Sequence, residues 1–164
     1  MELTFAPKGI LQIDDARIIF RNFRGEASKF NNEGNRNFAL IIPDEETAEE
    51  LQKERWNVKI KPPRDEDDEP FMFLPVKVYF NDHGPSIYLQ TGSHQNKLTE
   101  KTVGCLDNID IESVDMDIRP YDWVIQEGTP NEKSGRAAYL QSMRVIQKID
   151  RFAEEYAEEE YLEE

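Results

Sequence analysis

Arg21, Phe23, Arg24, Lys29, Phe30 and Arg36 crowd into one short segment near the start of the chain. From Arg17 to Arg36, five cations face only Glu26 and Glu33, with Phe20, Phe23 and Phe30 interleaved. Cations can hold the phosphates of a single nucleic-acid strand, and aromatic faces can stack its bases at about 1–3 kcal/mol per base. Similar groups follow: Lys59 with Lys61, Lys77 with Tyr79, and Arg119 with Tyr121 and Trp123. On a strand, Arg21 and Phe23 share one face while Ile18 and Phe20 share the other. That parity points Phe23 outward and Phe20 into the core. Aromatics also fill β-cores, and alternating lysines also guard strand edges, so the groups count jointly rather than singly.

The rest of the chain has the opposite charge. Its 34 acids against 20 Lys and Arg give a formal net charge of -14. The negative residues are concentrated in Asp44 to Glu54, in "DEDDE" at 65–69, and in positions 150–164, where eight acids face only Arg151. Outside these clusters the charges are roughly balanced, so the net value says little about any one face.

The elements that must position the basic and aromatic residues are mostly strands. "GILQIDDARIIFRNF" is long and β-rich, with a bulge or bend expected at Asp14-Asp15. "SKFNNEGNR" reads as a turn returning the chain into "NFALII". "PDEETAEELQKER" reads as a surface helix, with acids in its first turn and Lys53 and Arg55 in its last. In "WNVKIK" the pattern sets Trp56, Val58 and Ile60 against Lys59 and Lys61. In "FMFLPVKVYF" it sets Leu74, Val76, Val78 and Phe80 against Lys77 and Tyr79. A short helix is expected within Thr99 to Leu106. Two final strands then follow, "IESVDMDIRPYDWVI" and "AAYLQSMRVIQKI". Strands joined by turns, without alternating helices, disfavour a parallel doubly wound sheet and favour a mainly β fold, a small barrel or a sandwich. A β-barrel of OB-like form, with one or two inserted helices and an acidic C-terminal tail, accommodates these long, bent strands. Residues 1–149 form the expected single domain and 150–164 the tail.

Catalytic chemistry has little support. There is no nucleophile elbow and no P-loop. Cys105, the single cysteine, sits beside Gly104 and Leu106 and reads as a small buried hydrophobe; it excludes an internal disulfide. His83 and His94 lie in polar, turn-like runs. "DEDDE" lacks the glycine and distal glutamate of a calcium loop and reads as solvated. Asp115 and Asp117 alternate as a metal nuclease would need, which is a weak signal. The expectation is therefore no catalytic residue, no metal and no cofactor. No apolar run approaches the length of a membrane span, and Glu2 and Pro7 interrupt any signal-peptide pattern, so the expected setting is cytoplasmic, in a bacterium or a phage-infected host.

On "RIIFRNFRGEASKFNNEGNRNFALII", "FLPVKVYF", "DIRPYDWVI…GRAAYLQSMRVI" and the acidic ending "EEYAEEEYLEE", the chain resembles phage-encoded single-stranded DNA-binding proteins of the OB-fold type. The resemblance implies a binder rather than an enzyme. It also implies an acidic C-terminus that contacts replication or recombination proteins; by its charge and aromatics alone, such a tail can also occupy its own basic groove. Within that tail Phe152, Tyr156, Tyr161 and Leu162 are the anchoring residues, with Phe152 and Tyr156 at helical spacing. The alternative is an acidic DNA mimic or inhibitor that binds a host nucleic-acid enzyme. It would use the acidic clusters as surrogate phosphates. DNA against RNA, and monomer against homodimer, stay open.

Overall fold

The computed structural model describes residues 1–149; Phe152, Tyr156, Tyr161 and Leu162 lie outside the described residues. Ten strands form one sheet among them: β1 (Glu2–Phe5), β2 (Leu11–Ala16), β3 (Ile18–Asn22), β4 (Arg36–Ile41), β5 (Lys59–Lys61), β6 (Phe71–Val78), β7 (Ser86–Thr91), β8 (His94–Leu98), β9 (Ile111–Ile125) and β10 (Lys133–Gln147). β2 and β3 are one bent run of chain. Its first half pairs with β9 and its second with β4, which closes the sheet into a ring of β2/β3, β4, β6, β10 and β9. Four of the five contacts are antiparallel; the β6–β10 contact is parallel. This is a five-stranded barrel of the OB-like form expected from the strand pattern.

The bend has identifiable causes. Leu11 and Ile13 are buried, as is Ala16, so the inward alternation slips by one residue between Ile13 and Ala16. Asp15 takes up the slip at φ 53°, and its amide donates to Asp115 Oδ1 at 2.9 Å. This is the bulge anticipated at Asp14-Asp15. A second irregularity follows in β3. Its register against β4 shifts between Ile19 and Asn22, and Phe20 stands at φ 55°.

The core is filled by the inward residues of the ring: Leu11 and Ile13, Phe38 and Leu40, Leu74 and Val76, Val114, Met116 and Ile118, and Leu140, Met143 and Val145. Fully burying such a side chain contributes about 1.5–3 kcal/mol. A short 3-10 helix, Val103–Asp107, adds Val103 and Leu106 to the same core. Helix α1 (Glu45–Lys53) follows β4. Asp44 caps it, accepting from the Thr47 amide at 2.7 Å, and that hydrogen bond holds its carboxyl below the ordinary value. Ala48 and Leu51 face inward from this surface helix, and Trp56 joins them in the core.

The strand expected at "WNVKIK" is shorter than anticipated. Only Lys59–Lys61 forms a strand, and Ile60 is exposed while Trp56 is buried. Cys105 is exposed, not buried, because the 3-10 turn directs Val103 and Leu106 inward in its place. Partial desolvation by its neighbours, with Asp107 nearby, still pushes its thiol up from the ordinary value. No helix among the described residues is long and apolar enough to cross a membrane.

Candidate nucleic-acid interface

The outer face of the ring carries the cations and aromatics in register. Phe71, Phe73, Pro75 and Lys77 alternate outward along β6, opposite the buried Met72, Leu74, Val76 and Val78. Lys77 lies between Asn37 on β4 and Tyr139 on β10, and Tyr139 is in turn opposite Arg119 on β9. The Tyr139 ring therefore meets two cations, with Lys77 Nζ 5.7 Å and the Arg119 guanidinium 5.0 Å from its centroid. Tyr121 stands edge-on to the same ring at 5.9 Å. At the other end, Phe20 packs edge-on against Phe73 at 5.5 Å and Phe71 at 6.1 Å, with Lys61 Nζ 5.1 Å over the Phe20 ring. Cation–π contacts of this kind are worth about 0.5–1 kcal/mol at exposed sites.

Two troughs run across this face. One, of about 480 Å³, is lined by Phe20, Asn37, Phe73, Lys77, Tyr79 and Tyr139 among others. The second shares Phe20, Asn37, Phe73 and Pro75 with it and continues to Phe30, Lys59, Ile60 and Lys61. Neither is lined by a single Asp or Glu. Among the described residues, Lys59, Lys61, Lys77 and Arg119 enter no ion pair. Phe30, 92% exposed, stands on the loop between β3 and β4 with Lys29 Nζ 5.6 Å from its ring. That loop is held by Asn31, whose side-chain amide donates to the carbonyls of Glu26, Asn32 and Asn35, and by the Gly34 amide donating to Gly25 O at 2.8 Å.

β9 and β10 run on past the ring as a two-stranded ribbon. Tyr121 and Trp123 lie on the face that continues from Arg119, and both are exposed. On the ribbon's other face Arg136 and Asp122 are direct cross-strand partners. Their hydrogen-bonded pairing holds the Asp122 carboxyl below its ordinary value and raises the Arg136 guanidinium further.

The structure thus brings together Lys29, Phe30, Lys59, Lys61, Lys77, Tyr79, Arg119, Tyr121 and Trp123. It corrects the assignment of Phe23, which is wholly buried and stacks on Phe38 at 5.3 Å. Phe20 instead is the outward ring, half exposed. The positive φ at Phe20 breaks the pleat, so residues after it point opposite to what simple alternation requires. Arg21 is also given other work. Its Nη1 donates to the carbonyls of Leu106 and Ile109, both at 2.7 Å, tying β3 to the 3-10 helix. Arg24 lines a separate trough beside that helix. Arg36 stands where this trough meets the first and pairs with Glu100 at 3.2 Å. Asp115, half of the weak nuclease signal, is held by Arg144 at 2.6 Å. Sequence reasoning missed Phe71, Phe73 and Tyr139. Their outward parity was readable, but their cations lie on neighbouring strands rather than beside them in sequence.

A closed five-stranded ring with one parallel pair, carrying acid-free aromatic and cationic troughs on one part of its outer face, defines an OB-type barrel. Over residues 3–164 the chain matches the family described as "Putative phage ssDNA-binding domain", and it belongs to that family. Three solved structures share the fold. The single-stranded DNA-binding protein from bacteriophage Enc34 in complex with ssDNA has a TM-score of 0.55 and 10% identity, covering 90% of this chain and 92% of that one. The same phage's protein without that description of a complex gives 0.54 and 11%, covering 92% of each chain. Its C-terminal truncation gives 0.50 and 11%, covering 90% and 91%. No curated protein matches the chain.

Proposed function

We propose that the protein is a non-catalytic single-stranded DNA-binding protein of a phage, acting in replication or recombination in the cytoplasm of the infected cell. The observation that carries this reading is the acid-free trough in a chain of net charge -14. A surface random in charge would place several carboxylates along it. The strand crosses the ring from Phe30 and Lys59 toward Arg119 and then follows the ribbon. Bases stack on Phe20, Phe30, Phe73, Tyr79, Tyr139, Tyr121 and Trp123, while Lys29, Lys59, Lys61, Lys77 and Arg119 neutralise phosphates. Phe23 has no part in it, and Arg21 serves the fold. Family membership and the fold shared with an ssDNA-complexed phage protein support the reading.

Residues 150–164 form a separate acidic segment in this scheme. It competes with DNA for the basic face and contacts partner proteins through Phe152, Tyr156, Tyr161 and Leu162. A DNA mimic would present carboxylates where this face presents lysines, so the geometry favours the binder.

The test is fluorescence anisotropy of a labelled, unstructured oligonucleotide. The full chain is expected to bind at low salt, more tightly after residues 150–164 are removed, with affinity falling steeply as salt rises. Absence of binding by both forms at low salt overturns the proposal.

A further inference from the structure

We propose that Arg136 is a positioning residue that sets the angle of the β9–β10 ribbon, so that Tyr121 and Trp123 extend the strand path begun on the barrel. This rests on the single-strand reading above. Beyond the ring, among the described residues, β9 and β10 form a ladder only with each other, apart from an isolated bridge between Arg136 and Trp56. β2 leaves β9 at Ile118, and β6 meets β10 at Ala138 and Tyr139. A two-stranded ribbon twists more freely than a strand within a larger sheet. Its direction therefore needs an external tie.

Arg136 supplies one. Its Nε and Nη2 donate to the two carboxylate oxygens of Asp122 at 2.7 and 3.1 Å, directly across the ribbon. Its Nη1 donates to Glu54 O at 3.0 Å, just past the end of α1, and its guanidinium lies 5.4 Å from the ring centroid of the buried Trp56. Among the described residues, the Arg136–Glu54 contact is the one side-chain hydrogen bond between residues 121–137 and the rest of the protein. The backbone agrees, with Trp56 and Arg136 forming an isolated parallel bridge. Arg136 is largely covered, its side chain 17% exposed. A planar fork that serves two oxygens, a carbonyl and an indole at once is beyond a lysine. Because Arg136 and Asp122 sit opposite to Tyr121 and Trp123, changing either leaves the contact face chemically intact.

The signature is a dependence on strand length. An oligonucleotide of about 4 nucleotides, the lower limit for one OB barrel, occupies the ring; one of about 12 also needs the ribbon. In the full chain, Arg136→Lys is expected to weaken the longer oligonucleotide about fivefold or more, the loss of one stacked base, and to leave the shorter one unchanged. Asp122→Ala separates positioning from charge. Removing an acid strengthens binding of a polyanion on electrostatic grounds alone, whereas a loosened ribbon weakens the longer strand only. Anisotropy titrations of both oligonucleotides at one salt concentration read this directly, and thermal melts confirm that each variant is folded. Equal effects on both lengths, no effect on either, or tighter binding of the longer strand by Asp122→Ala would overturn the proposal. A wild-type chain that binds neither length overturns the single-strand reading itself.

Discussion

Trp123 lies against the backbone of Gly135, its direct cross-strand partner: a Cβ placed on Gly135 would stand 2.7 Å from Trp123 Cζ2 and 2.9 Å from Cε2. The indole is seated by the absence of a side chain opposite. Gly135→Val is therefore expected to lift the indole off the ribbon, shift tryptophan emission and weaken oligonucleotide binding. Trp56 is buried beside the neighbouring Arg136, so the emission is read in a Trp56→Phe background, where it reports on Trp123 alone. Unchanged emission would mean that the indole does not depend on the glycine.

Phe20 and Phe23 should respond in opposite ways. A bulky residue at φ 55° carries backbone strain of about 1–3 kcal/mol, which glycine relieves. Phe20→Gly is expected to leave the thermal midpoint near the wild-type value, since lost ring contacts offset the relief, while binding weakens by roughly 5- to 150-fold. Phe23→Ala opens a cavity in the core and should cost about 3–5 kcal/mol in stability. A binding loss without a stability loss at Phe23 would reverse the assignment of the two rings.

Lys61 and Lys77 test the phosphate contacts. For a single strand, each neutralised phosphate adds about 0.7 to the slope of log affinity against log salt. The double variant Lys61→Ala, Lys77→Ala should lower that slope by about 1.4, measured between low and physiological salt. An unchanged slope would place the strand elsewhere.

Asp115 gives a pH test of the seam between β2 and β9. Burial acts to raise its carboxyl, but the Asp15 amide and the Arg144 guanidinium outweigh that and hold it below the ordinary value. A depressed folded-state pKa means the stabilisation is fully present above the unfolded value, about 3.9, and is lost as pH falls through the folded one. Asp115→Asn is therefore expected to be less stable than wild type in urea at neutral pH, with the difference closing in acid. A difference that persists undiminished at low pH would show that charge is not the cause.

The barrel was legible because its devices have residue signatures. Two aspartates inside an apolar alternation marked the bulge, and an acidic first turn with a basic last turn marked α1. Phe20 was not legible, since nothing in a phenylalanine signals a positive φ as glycine or asparagine would. Once that pleat breaks, every parity statement downstream of it in β3 inverts. The binding face was half legible for a different reason. Cations and aromatics were sought as neighbours in sequence, whereas Tyr139 meets Lys77 and Arg119 across strands. Cross-strand register is a tertiary property, and the pattern of one strand does not contain it.

The acid-free trough also affects how the molecule meets DNA before contact. With the trough free of carboxylates and acids concentrated in Asp44 to Glu54 and in 65–69, charge is unevenly divided between this face and the rest of the surface. In the field of a polyanion such a body is turned so that its one attractive side leads and the remainder is repelled. Productive encounters are thereby oriented by torque rather than by search, over a reach of about 8 Å at physiological salt.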